Sequence, residues 1–344
     1  MIRQLRLLIL LSFLISACIP ASASPSAPTE TATPPLPTPT ATLAPNVIPE
    51  AAVSTQPFTA PQPISRVFIV TFGGLRPDAI EAADMTTVKS LMQSGAYTLN
   101  AQTVMPSNSL PAHASMVTGT CPAKHIARWN EYVPQNGYAL GTDIFDLTRA
   151  VGLRTVLITG REKLRHITEP GSTDYFGFVD NTDEPKDETT IESMAIEQIR
   201  QGFGLMLVYF PDGDAVGHEL DWMSKQQLRT FREKDESLDL FIRVMKDSGF
   251  YDGTLIIVTS DHGGHNSDHG LNIPEDMTIP WIISGPQIIP GELQTPIYIM
   301  DTAATIAFAL GLPLQPDWDG VPAYEAFGLP VDPLQKRGCF GTTP

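Results

Sequence analysis

Positive charge is what this sequence has least of. Its 22 Lys and Arg face 38 Asp and Glu, a formal net charge of -16 over 344 residues. A duplex nucleic-acid binder needs a basic face, so that partner class is not expected. Residues 1–63 carry only Arg3, Arg6, Glu30 and Glu50, so the whole acidic excess lies in residues 64–344. Such a surface repels anions, and an anionic ligand would need a local cation, such as a metal ion, to hold it. The apolar run Leu7 to Ile15 is too short for a spanning helix. Cysteine is scarce, with three in the chain, Cys18, Cys121 and Cys339. What is plentiful is apolar residues, 42% of the total, which excludes global disorder and allows one large domain or two ordinary ones.

Arg3 and Arg6 before that apolar run read as the start of a secretory leader. The run ends in Ile15-Ser16-Ala17-Cys18, which resembles a bacterial lipobox. That resemblance implies a leader over 1–18, lipidation of Cys18, and an exported domain held at the outer face of a bacterial membrane or in the periplasm. The competing reading is an ordinary leader cut near Ala21-Ser22-Ala23. Residues 19–63 hold twelve of the 31 prolines, with Thr, Ala and Ser and almost no aromatic side chain. A segment of this kind cannot bury enough apolar surface to offset its ordering entropy, and is expected to be a disordered, extended spacer. Residues 64–344 form the folded domain.

In that domain strand-like and helix-like segments alternate. Arg66–Phe72, Leu153–Thr159, Leu205–Phe210, Thr254–Ser260 and Ile279–Ser284 are short apolar runs rich in β-branched residues and read as buried strands. Pro77–Ser94, Ile191–Gln201, Ser224–Ser248 and Ile299–Leu310 have helical spacing. The alternation predicts an α/β fold, with a mostly parallel central sheet and helices on both faces. In such sheets the working residues lie just beyond the carboxyl ends of the strands.

Those positions hold the chemistry. After Leu205–Phe210 come Asp214 and His218, four apart; after Thr254–Ser260 come Asp261, His262, His265, Asp268 and His269. Four of the seven histidines fall between 218 and 269. Carboxylate with imidazole suits Zn²⁺ and similar divalent ions. One Asp-x-x-x-His after a strand could simply solvate the strand end; two such clusters point to a metal. Ser109 precedes a helical run, where it could cap the helix or, beside a metal, act as a nucleophile with backbone N–H groups aimed at a phosphate.

The motifs GLRPD at 74–78, SLPAHASMVTG at 109–119, PAKH at 122–125, DAVGHELDWMS at 214–224, SDHGGH at 260–265 and IPWIISGP at 279–286 occur in family order. Together they make residues 64–325 resemble the alkaline phosphatase superfamily, in its type I phosphodiesterase/nucleotide pyrophosphatase branch. The resemblance implies hydrolysis of a small phosphate ester or pyrophosphate at two divalent ions, zinc by family habit. Asp214, His218 and His269 would hold one ion, with His265 as the competitor to His269. Ser109, Asp261 and His262 would help hold the other. Ser109 would attack phosphorus, Asn130 would donate to a phosphate oxygen, and His113 would pack beneath the nucleophile turn. Lys163 matches a family segment without a role, and Trp222 and Ser224 either shape the pocket mouth or merely pack. Sulfatases share the fold, but their signature sets Arg where this chain has His113.

One departure stands out. The family's first strand ends in a metal-ligating Asp, and here that position is Gly73. Asp78 lies five residues further on, at a helix start, and is poorly placed to replace it. Two functions are therefore open, a hydrolase weakened at its second ion and a non-catalytic surface lipoprotein that binds a ligand on the same fold. Asp301 is expected to cap the last helix. With Cys18 lipidated, Cys121 and Cys339 are left as a disulfide pair or as two free thiols.

Overall fold

The structure is a computed structural model and describes residues 63–179, 190–331 and Cys339. The leader, Cys18 and nearly all of the Pro-rich segment lie outside the described residues. Eight strands build one sheet: β1 Arg66–Phe72, β2 Ala96–Gln102, β3 Thr155–Thr159, β4 Tyr175–Phe178, β5 Leu205–Phe210, β6 Thr254–Thr259, β7 Thr278–Ser284 and β8 Gly291–Glu292. The helices are α1 Pro77–Ala82, α2 Thr86–Ser94, α3 Ser109–Thr118, α4 Pro122–His125, α5 Ile144–Ala150, α6 Ile191–Gln201, α7 Asp212–Leu220, α8 Lys225–Asp247, α9 Pro274–Met277 and α10 Asp301–Ala309.

The strand order is β4-β3-β5-β1-β6-β7-β2-β8. From β4 to β6 every pairing is parallel, while β7 runs antiparallel to both β6 and β2. The fold is thus the expected α/β one. The reversed β7 follows from its connection: only the four-residue α9 separates the 260–273 loop from β7, too little for a crossover helix.

The central strands are continuous apolar runs because both their faces are covered. Val67, Ile69, Leu205, Leu207, Tyr209, Leu255 and Ile257 face a core shared with α3, α5 and α10. Phe68, Val70, Phe72, Met206, Val208 and Phe210 face the opposite core, under α1, α2, α6 and α8. The period-two alternation of side chains therefore decides which strand residues look toward α3, and Tyr209 is one of them.

Two expectations change in detail. The single helical run Pro77–Ser94 is broken at Asp84, whose φ of 53° is left-handed, a conformation that Asp tolerates better than most residues. The break lets the Asp235 carboxylate of α8 accept from the backbone N–H groups of Thr87 and Val88, at 2.8 and 2.9 Å, and so cap α2 from a neighbouring helix. Asp301 is not a cap. It is the first residue of α10, after Met300 in the cap position, and its carboxylate accepts from the N–H groups of Tyr298 and Val321. That ties the chain on either side of the helix to its first turn.

Candidate active site

Asp214 and His218 lie in a helix rather than a loop. Helix α7 starts directly after β5, and its i, i+4 spacing puts both side chains on one face, above the strand ends. Asp214 Oδ1 is the hub. His218 Nε2 lies 3.4 Å from it, His269 Nε2 3.5 Å and His262 Nε2 3.8 Å. The rings of His262 and His269 stack at 3.7 Å. Each imidazole is oriented by its other nitrogen, which bonds a backbone carbonyl: His218 to Ser267 at 3.0 Å, His262 to Gly263 at 2.8 Å, His269 to Ser107 at 2.8 Å. The Nδ1 atom of each ring therefore carries the proton, and three Nε2 lone pairs converge on one carboxylate oxygen.

Burial alone would raise the Asp214 pKa, but positive charge on His218, His262 and His269, when those rings take up a second proton at Nε2, holds its carboxyl well below the ordinary range. Burial, with His262 alongside, brings His269 down to about 4.

The Ser109 side of the centre is built differently. Ser109 opens α3, and Asn108 takes the cap position. Its Oγ lies 3.4 Å from His262 Nε2, and its carbonyl accepts from His113 Nδ1 at 2.8 Å. His113 is fully buried, and its Nε2 accepts from Thr71 Oγ1 of β1 at 3.0 Å. It sits beneath the turn that carries Ser109. Asn130 Oδ1 accepts from the Leu110 N–H at 3.1 Å, which leaves its Nδ2 donor uncommitted among the described residues. Asp261 Oδ1 accepts from the N–H groups of Gly74 and His262, at 3.1 and 3.0 Å, while Oδ2 faces His262 Nε2 at 3.4 Å.

The residues expected from sequence thus meet in one centre, grouped around a carboxylate oxygen shared by three imidazoles. Ligand atoms of Asp214, His262 and His269 lie within 4.8 Å of one another. His218, 42% exposed, approaches from the solvent side. His265 is turned elsewhere, with Nδ1 2.7 Å from Asp276 Oδ1. Asp78 is at the surface, paired with Arg76 at 2.7 Å. Trp222 does more than pack: its ring meets His218 and His269 edge-on, at 5.2 and 5.8 Å, and its indole N–H donates to the Gly74 carbonyl. A Cβ on Gly264 would lie 2.1 Å from that indole, so glycine makes room for it. Ser224 is the α8 cap, accepting from the Gln227 N–H.

Sequence reasoning missed two residues here. Arg161 follows β3, and its guanidinium lies 3.9 Å from Asp214 Oδ2; the neighbouring Lys163, largely buried, interacts electrostatically with Asp214 and Asp261. Tyr209, the other, is the next-to-last residue of β5, with its hydroxyl 3.5 Å from Ser109 Oγ. Burial first, and then the Asp261 and Asp214 carboxylates, push its pKa well above the usual value, so the hydroxyl keeps its proton and acts as donor. Away from the centre, Cys121 and Cys339 form a disulfide, with Cα atoms 5.6 Å apart.

The residues fit a divalent cation. Asp214 Oδ1 and Asp261 Oδ2 are buried without a hydrogen-bond partner. Orphan carboxylate oxygens are costly unless a cation satisfies them, and three converging imidazole lone pairs complete an N/O ligand set.

Comparison with known proteins agrees with this chemistry. The human GPI ethanolamine phosphate transferase 2 catalytic subunit is 25% identical over 287 residues, 78% of this chain and 29% of that protein. The mouse bis(5'-adenosyl)-triphosphatase enpp4 is 22% identical over 217 residues, 58% of this chain and 47% of that one. The chain therefore spans less than half the length of either relative. Among solved structures, an inactive murine ectonucleotide pyrophosphatase/phosphodiesterase 5 in complex with AMP matches with a TM-score of 0.62 at 14% identity, covering 77% of this chain and 99% of that one. A putative sulfatase from Bacteroides thetaiotaomicron matches with a TM-score of 0.60 at 13% identity, covering 78% and 75%. The family model "Type I phosphodiesterase / nucleotide pyrophosphatase" matches residues 67–139 and 144–278, the stretch that holds Ser109, Asp214, Asp261 and His269. This chain belongs to that family, a branch of the alkaline phosphatase superfamily.

Proposed function

We propose that the chain is a metal-dependent hydrolase of phosphodiester or pyrophosphate bonds in small phosphate esters, with Ser109 as nucleophile. The observation that carries this reading is the position of Ser109 Oγ. It stands at the start of α3, 3.4 Å from His262 Nε2, beside two buried carboxylate oxygens with no partner. Asp214, His218, His262, His269 and Asp261 would hold the metal, and the N/O donor set suits zinc. A bound divalent cation would neutralise charge on the phosphoryl oxygens and favour the ionised serine.

The chain's own residues supply the rest. Ser109 Oγ forms a bond to phosphorus, the ester oxygen departs with the electrons of the broken P–O bond, and the serine proton ends on the leaving alcohol. Water then adds to the phosphoserine, the Ser109–phosphorus bond breaks, and the serine regains a proton. The Ser109 N–H at the start of α3 and the uncommitted Asn130 Nδ2 would face the phosphoryl group as donors, since the Leu110 N–H is taken by Asn130 Oδ1 and Pro111 has none. Arg161 and Lys163 bring fixed positive charge to the rim of an otherwise acidic protein, which helps hold an anion. Attachment to a membrane through lipidated Cys18, with residues 19–63 as tether, is part of the same proposal. It rests on the sequence of residues 1–63.

Gly73 supports a second reading, a ligand-binding relative without turnover. Hydrolysis of bis(4-nitrophenyl) phosphate by the full chain with Zn²⁺ separates the two. The enzyme reading expects turnover that Ser109→Ala abolishes, and a phosphoserine adduct in the intact mass of the native protein. No turnover above that of Ser109→Ala would leave binding alone. Turnover of 4-nitrophenyl sulfate in preference to the phosphodiester would move the substrate class to sulfate esters.

A further inference from the structure

Gly73 directly follows β1 at the centre, and the space a side chain would need there is occupied. A Cβ on Gly73 would lie 2.8 Å from Tyr209 Oη, 3.1 Å from the Tyr209 ring and 3.2 Å from Asp214 Cβ. The first distance is shorter than real Cβ contacts allow, and the tyrosine is not free to yield. Its ring is fully buried, packs edge-on against His113 at 4.5 Å, and sits on a strand in register with Thr71 of β1. A glycine at 73 and a tyrosine at 209 therefore go together: the small residue makes room for the large one.

Charge points the same way. Among the described residues the centre offers two carboxylates, Asp214 and Asp261. A single divalent ion balances them, whereas two ions would leave an excess of positive charge in a buried site that Arg161 and Lys163 already approach. The ligand atoms that lie close together, from Asp214, His262 and His269, likewise describe one position.

We propose that this centre takes one divalent ion, on Asp214, His262 and His269 with His218 alongside. In this arrangement the Tyr209 hydroxyl fills the place of a second ion and donates its hydrogen bond to Ser109 Oγ. The inference deepens the hydrolase reading and rests on it for the role of Ser109. Tyr209 positions the nucleophile, and Arg161 and Lys163 contribute the charge that a second ion would have brought to the phosphoryl oxygens. It follows that restoring an aspartate at 73 is not enough to build a second site, because the carboxylate would enter space the tyrosine holds.

The test is Zn²⁺ stoichiometry by calorimetry and elemental analysis, with thermal melting, on the full chain. The native protein should bind one Zn²⁺ per chain. Gly73→Asp should still bind one and melt at a lower temperature. Gly73→Asp combined with Tyr209→Ala, which clears the space, should bind two. Tyr209→Phe keeps the ring and should still bind one, while kcat falls about tenfold with KM little changed, as expected for loss of one hydrogen bond to the nucleophile. Two Zn²⁺ in the native protein, a second Zn²⁺ in Gly73→Asp without loss of melting temperature, or a single Zn²⁺ in the folded double variant would each overturn the proposal. Stoichiometry does not depend on turnover. One Zn²⁺ with no phosphodiesterase activity would sink the hydrolase reading and leave the ion count standing.

Discussion

The two halves of the centre are built on opposite plans. Around Asp214 the protein converges: three imidazoles, each locked by a backbone carbonyl, point their free nitrogen at one oxygen. Around Asp261 more of the polar groups are already engaged, although Asp261 Oδ2 has no hydrogen-bond partner. Asp261 Oδ1 is committed to two backbone N–H groups, Ser109 is held by His113 and faced by Tyr209, and Gly73 has no side chain to offer. A ligand set with its second contacts in place gains most from a cation, and one with one carboxylate oxygen already committed to backbone N–H groups gains less. Metal affinity should thus depend mainly on the Asp214 half, and the proposed attack on phosphorus on the Ser109 half.

The sharpest break of that comparison is Ser109→Ala. Phosphodiester turnover should fall about a thousandfold or more while Zn²⁺ affinity changes little, measured by steady-state kinetics and metal titration on the same sample. Loss of both together would mean the halves are not separable. The scaffold under Ser109 should next show an acid sensitivity of its own. His125 of α4 is buried, accepts from the Ala127 N–H at Nδ1 and donates to Ser115 Oγ of α3; burial brings its pKa down to about 4. The unfolded chain takes up this proton near 6.5 and the native chain does not until about 4. Stability is therefore full above pH 6.5 and lost as pH falls toward 4, by roughly 3 kcal/mol. Urea midpoints against pH should show that slope, and His125→Gln should flatten it.

The carboxylates themselves come next. Asp214→Asn should weaken Zn²⁺ binding by about 100-fold or more, and Asp261→Asn by only about tenfold, read by competition with a chelating dye. Equal losses would erase the contrast between the halves. The smallest effect expected is that of Trp222→Phe. The indole steadies the His218 and His269 rings without being a ligand itself, so Zn²⁺ affinity should drop by less than for Asp261→Asn, with the fold intact. No change would reduce Trp222 to packing.

How much of this was legible in sequence depended on how much each residue needed its neighbours. Runs such as RVFIVTF and LMLVYF declare buried strands because both faces of the sheet are covered, and every position must be apolar. AYTLNAQ does not, since β2 is half-buried and mixes Asn and Gln among its apolar residues. The reversed direction of β7 is a property of its connection and leaves no mark in its composition. Asp214, His218, Asp261 and His262 stand out because polar ligands directly after apolar strands are conspicuous. His269 over His265 was not decidable from spacing alone, since both lie in one loop, and the Asp276 carboxylate that engages His265 comes from α9. Tyr209 was invisible for a stronger reason. Inside LMLVYF a tyrosine reads as core, and its meaning depends on the neighbouring strand being followed directly by a residue with no side chain.

The Cys121–Cys339 disulfide brings timing into this architecture. Its two cysteines are 218 residues apart in sequence, and Cys121 adjoins the start of α4, just past the end of α3. The ribosome has therefore made the whole sheet and both halves of the centre before the second thiol exists. The bridge can close only on a chain already largely assembled, and only where the surroundings are oxidising. In a reducing compartment the same polypeptide would keep its sheet-borne centre but leave that corner unfastened. Expression in a reducing cytosol would thus yield a protein that differs from one made in an oxidising compartment at the end of α3, and not at Asp214, His262 and His269.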